Sequence, residues 1–162
     1  MTRSEDEQRQ HDVAQHDEKF LSWVEMNEGV LELEFDEDVP DLPEKPWGQE
    51  ALRIAEARAL EIFPSKAEVF DEEHWDISWR FVRFIGQTFI DAFDGFWVNL
   101  PGEDGARAKV VVQLPFRTMY LEPINLLTAA MSRRTGEEWA RVYGYAEEDY
   151  AAYRASKRKD NA

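Results

Sequence analysis

Three histidines, His11, His16 and His74, are the side chains best suited to hold a metal or to move a proton near neutral pH. His11 and His16 stand five apart, whereas metal-binding pairs on a helix usually stand four apart or belong to a longer motif. His74 lies among Asp71, Glu72, Glu73 and Asp76. Such acids also suit the start of a helix, where the macrodipole favours negative charge. Asp36, Asp38 and Asp41 have the spacing of a calcium loop, but its glycine and terminal bidentate Glu are missing, and prolines interrupt the run. Neither group is expected to bind a metal.

Covalent chemistry finds no better support. None of the six serines stands in a GxSxG elbow, and neither GxGxxG nor a phosphate-binding lysine loop is present. The chain has no cysteine, which excludes disulfide, thiol and zinc–thiolate roles. Paired carboxylates are numerous, but among 34 acids such pairs arise by chance. The sequence therefore names no catalytic residue and no cofactor, and the chain reads as a non-enzyme.

The charge is more informative. A formal net charge of −15 is unevenly spread: the first fifty residues hold 16 acids against 4 bases, while residues 101–162 are nearly balanced. Direct binding of nucleic acid, which needs a surplus of Lys and Arg on one face, is not expected. An acidic surface instead suits solubility or a basic protein partner. The segment around residues 30–47 concentrates the acids, and its expected contact residues are Glu32, Glu34, Asp36, Glu37, Asp38, Asp41 and Trp47. Arg83 and Gln87 join them from a polar seam, Arg80, Arg83, Gln87, Asp91 and Asp94, that runs along an otherwise apolar helix. That seam also reads as a solvent-facing line with i, i+4 pairs such as Asp76–Arg80 and Gln87–Asp91.

The elements that must position these residues follow from period and punctuation. Residues 1–12 are polar and read as a disordered tail ahead of a single α+β domain over 13–158. Phe20 and Val24 begin a helix that Gly29 would stop. Leu31, Leu33 and Phe35 alternate with acids in the period of a half-buried strand. Three prolines then make an acidic, extended segment over 36–47. Leu52, Ala55, Ala59 and Ile62 share one face of a helix that Pro64 ends. From Trp75 to Phe93 apolar residues cover most of a helix, so neighbours must bury it. Gly86 within it implies a close approach by another backbone.

Asp94-Gly95 breaks that helix. FWVNL, the turn Pro101–Gly105, RAKVVVQLPF and a short third strand over Thr118–Leu121 then read as an antiparallel meander. Glu122-Pro123 starts a helix that Gly136 closes. The final segment carries Trp139, Tyr143, Tyr150 and Tyr153 at helical steps, with Gly144 as a possible divide. The fold expected is α+β, with a central apolar helix packed on a small three-stranded meander and flanked by N- and C-terminal helices.

The run RFVRFIGQTFIDAFDGFWVNL, followed by LEP, resembles a pattern in small uncharacterised bacterial α+β domains. There an aromatic–Ile–Gly–Glu helix precedes a glycine and a strand-borne tryptophan. Phe84-Ile85-Gly86 and Gly95-Phe96-Trp97 match it, whereas Gln87 stands in place of the Glu. Some proteins of this pattern are immunity or accessory factors, so the resemblance implies a binding role and supplies no catalytic residue. The function expected is a bacterial, cytoplasmic protein-binding domain, immunity-like, antitoxin-like or accessory, meeting a basic partner without a membrane. An acidic mimic of nucleic acid and a small enzyme with an unrecognised site are the alternatives.

Overall fold

A computed structural model of the chain describes residues 2–102 and 108–161. The segment expected to be a disordered tail is helical, as α1 over Arg3–Ala14. Thr2 Oγ1 accepts from Glu5 N–H and Glu5 returns the bond to Thr2 N–H, which makes a reciprocal capping box. Arg3–Glu7 and Gln8–Asp12 pairs one turn apart support a helix that has no buried residue.

Next come α2, Glu18–Glu25, and α3, Asn27–Leu33, with Asp17 capping the first through Phe20 N–H. A short α4, Phe35–Asp38, follows at once. The strand expected over Leu31–Phe35 is thus helical, and Gly29 lies inside α3 instead of ending a helix. The reason is that the buried line Phe20, Asn27, Leu31 and Phe35 steps by helical intervals, so Leu31 and Phe35 share a face while Leu33 points out. Asp36, Glu37 and Asp38 of the segment expected to be extended are thus helical, and from Val39 the proline-rich run is irregular, with turns and bends, and is anchored by the buried Val39. Then α5, Gln49–Ile62, buries Leu52, Ala55 and Ala59 and stops ahead of Pro64.

Two 3-10 turns, Lys66–Phe70 and Glu72–His74, lead into α6, Trp75–Phe93. Phe81, Phe84, Ile85 and Phe89 of α6 are fully buried, and Phe35 stacks on Phe84 at 4.9 Å while meeting Phe81 edge-on. Asp94 takes a left-handed conformation (φ 56°) that ends α6. Strands β1, Phe96–Leu100, and β2, Lys109–Gln113, pair antiparallel with Trp97 opposite Val112. Glu103, Asp104 and Gly105 of the expected turn lie outside the described residues. The close approach at Gly86 comes from an indole and not from a backbone: a Cβ there would stand 2.0 Å from Cη2 of Trp97.

The third strand is not formed. Among the described residues the sheet has two strands, and the Thr118–Leu121 segment adds one bridge, between Leu121 and Val112. Gln113 Nε2 donates to the carbonyls of Leu114 and Arg117 and so closes a turn, and Pro123 starts the next helix two residues after the bridge. No room is left for a ladder. Helix α7, Pro123–Arg133, has proline in its first turn, and α8, Glu138–Asp160, runs through Gly144 without a break. Trp139 is fully buried, and Tyr143 and Tyr150 pack on Phe93. The architecture is a helical assembly with a small antiparallel sheet at one side. Among the described residues no helix is long and apolar enough to cross a membrane.

Candidate protein-binding face

The inner line of α2–α4 is tied to α6 by the polar seam, which faces inward more than the sequence implies. Arg80 turns from its i−4 neighbour to Asp38, with Nε–Oδ2 at 2.6 Å and Nη2–Oδ1 at 3.1 Å, and Glu34 lies 3.9 Å away. This bidentate bond holds the guanidinium's proton more firmly, so the Arg80 pKa is raised. Arg83 is only 7% exposed. Its Nη1 donates to Trp23 O at 2.6 Å, and its guanidinium lies over the Trp23 ring at 4.1 Å. Among the described residues it has no carboxylate in ion-pair contact, and burial lowers its pKa.

Gln87 is the junction of the seam. Its Oε1 accepts from Asn27 Nδ2 and from Trp97 Nε1 at 3.1 Å, and its Nε2 donates to Asp91 at 2.7 Å. A glutamine supplies the donor and the acceptor that this position uses, whereas a carboxylate would be acceptor-only and would face Asp91. The Gln87–Asp91 pair of the sequence is present, and the Asp76–Arg80 pair is replaced by Arg80–Asp38. Trp47 is half-buried, edge-on to Phe84 at 5.0 Å, and its Nε1 donates to Pro43 O. Asp38, Trp47, Arg83 and Gln87 are therefore engaged with neighbours inside the fold.

The remaining expected contact residues face outward. Glu32, Glu34, Asp36, Glu37 and Asp41 are exposed, and Glu25 and Glu28 extend the same field. Apart from Glu34 beside Arg80, none of these carboxylates makes an ion pair among the described residues. Two large apolar side chains stand among them: Met26 is 58% exposed and Leu33 75% exposed. They are seven residues apart on a near-continuous helical path, so they lie on one side of it, two turns from each other. Neither stands out in the sequence, because the period-two pattern puts Leu33 on the buried side of a strand. A helical reading of 20–35 would have left Met26 and Leu33 off the buried line.

Of the other candidates, His11, His16 and the set Asp36, Asp38 and Asp41 are dispersed, while His74 stands beside Glu68 and Asp71, with a donor atom of each within 4.8 Å of the others. His16 Nδ1 lies 3.0 Å from Asp12 O, and His11 Nε2 lies 3.4 Å from the Tyr120 hydroxyl. Asp38 is committed to Arg80, away from Asp36 and Asp41 as a set. Comparison with protein-family models, with curated proteins and with solved structures gives no match.

Proposed function

We propose that this chain is a non-enzymatic protein-binding module, immunity-like, antitoxin-like or accessory in kind, that meets a basic partner in a bacterial cytoplasm through residues 25–41. The observation that carries this reading is the pair Met26 and Leu33, exposed two turns apart on one side of the helical path, within a field of carboxylates that, Glu34 excepted, have no ion-pair partner among the described residues. Binding patches combine apolar anchors at their centre with a polar rim, and energy concentrates at the anchors. The acids raise the rate of encounter with a cationic surface and disfavour anionic competitors. A cationic amphipathic helix would match both features, its apolar side on Met26 and Leu33 and its Lys or Arg residues on Glu28, Glu32 and Asp36.

The test is affinity capture from the native cell with two baits, the wild-type chain and E28K/E32K/D36K. The reading expects a basic protein on the wild-type bait alone, released as salt rises. Recovery of the same protein on both baits, or retention that ignores salt, would overturn it.

A further inference from the structure

Between α5 and α6 the chain advances in steps of three. Glu68 N–H donates to Ser65 O at 3.2 Å, Asp71 N–H to Glu68 O at 3.2 Å, and His74 N–H to Asp71 O at 3.0 Å. In 3-10 geometry about three residues complete a turn, so side chains three apart eclipse one another. Asp71 is extended (φ −64°, ψ 141°) where the two 3-10 turns meet, and at this junction Glu68, Asp71 and His74 come together, with one donor atom from each within 4.8 Å of the others. The scaffold beneath them is fixed: Val69 is fully buried, its carbonyl accepts from Ser78 Oγ at 2.7 Å, and the His74 ring packs against Phe63 at 5.5 Å.

Helix starts account for the acids singly, Glu68 in the first turn of Lys66–Phe70 and Glu72 and Glu73 in that of Glu72–His74, but not for the convergence of Glu68 and Asp71 on His74. A second observation is independent of the acids. His74 Nδ1 is buried and has no hydrogen-bond partner among the described residues. A buried polar atom left without a partner is unfavourable, and native folds seldom leave one unexplained. A metal ion is the partner that imidazole nitrogen and carboxylate oxygen have in common.

We propose that Glu68, Asp71 and His74 bind a divalent first-row transition metal ion, Zn²⁺ or a close analogue. One imidazole and two carboxylates suit zinc, cobalt and manganese. Calcium takes six to eight oxygens, which this set does not offer. Bonds of about 2.0–2.2 Å in a tetrahedron place donors roughly 3.4 Å apart. The cluster must therefore contract, and the exposed Asp71 is free to swing inward. Three protein donors leave a coordination position for water on the open side. The site is separate in sequence from the acidic 25–41 face, so either proposal can fail without the other.

The experiment titrates Zn²⁺ and Co²⁺ into the full chain and into three variants, H74A, E68Q/D71N and H11A/H16A. The expected result is one Zn²⁺ per wild-type chain and a Co²⁺ visible absorption band of low-coordinate intensity. H74A and E68Q/D71N should each weaken binding by roughly tenfold or more, and H11A/H16A should leave it unchanged. Circular dichroism reports folding, and the near-isosteric E68Q/D71N decides the matter if H74A does not fold. Equal affinity in E68Q/D71N, a Co²⁺ spectrum no stronger than the hexaaquo ion, or displacement by equimolar Ca²⁺ would overturn the proposal.

Discussion

Gln15 and Asn99 pair in both directions, the side-chain amide of the first with the main chain of the second. Gln15 Oε1 accepts from Asn99 N–H at 2.9 Å, and Gln15 Nε2 donates to Asn99 O at 2.7 Å. Asn99 Nδ2 adds a bond to Ala14 O at 3.0 Å. One amide thus satisfies the edge of β1 as a neighbouring strand would, and an unpaired strand edge is a liability that folds cover. The same contact holds α1, which buries no residue of its own.

Substituting Gln15→Ala should therefore free α1 without unfolding the domain. Two hydrogen bonds at about 0.5–1.5 kcal/mol each set the expected loss. Hydrogen exchange would show it as faster exchange at residues 3–14 and at Asn99, with the amides of α6 unchanged.

Gly86→Ala tests the reason for a glycine in the most buried helix. The new methyl would meet the Trp97 ring inside van der Waals contact. Overpacking of this kind costs typically about 1–3 kcal/mol. Chemical denaturation should show that loss, and G86A should be less damaging when combined with W97L, which removes the ring.

Glu56 is fully buried and accepts from Trp139 N–H at 2.8 Å and Glu138 N–H at 3.2 Å, so a residue of α5 caps α8. Desolvation outweighs these bonds and raises its pKa above the usual carboxylate value. A raised folded-state pKa means that the folded form favours the proton. The contribution is then fully present below the unfolded pKa and is lost as pH rises through the folded pKa. E56Q stays neutral at every pH and keeps an acceptor for Trp139. The stability of wild type relative to E56Q should therefore fall as pH rises from the ordinary carboxylate range through the raised folded-state pKa. Glu56→Ala leaves two buried donors unmet and should cost on the order of 2–4 kcal/mol. Urea denaturation of the three proteins across that range checks both statements.

Much of this fold is written locally. The apolar circumference of α6, the break at Asp94-Gly95, the proline at the start of α7 and the FWVNL strand are short-range signals, and each element stands where those signals put it. The failures have physical causes as well. Leu31, Leu33 and Phe35 fit a period of two, yet Leu31 and Phe35 also fit one helical turn, and the preceding Phe20 and Asn27 settle the choice. Helix α1 has no apolar period, and its Thr2–Glu5 capping box is a signal in four residues. Of the candidate face, the acids are legible as charge. The exposure of Leu33 is not, because apolar character alone argues for burial. Arg83 could not be placed inside from sequence, since the carbonyl that receives it belongs to Trp23, sixty residues away.

For the binding face, the acids and the apolar pair should separate kinetically. Neutralising E28Q/E32Q/D36Q/E37Q should slow association with a basic partner by about tenfold or more at low salt and leave dissociation nearly unchanged. Leu33→Ala should act chiefly on dissociation. Surface plasmon resonance at two ionic strengths reads both rates.

The most direct test of the central claim is a hydrogen-exchange map of the chain alone and in complex with the basic protein captured by the wild-type bait. New protection is expected over residues 25–41, centred on Met26 and Leu33. Protection confined to α7 and α8, with 25–41 exchanging as in the free chain, would contradict it.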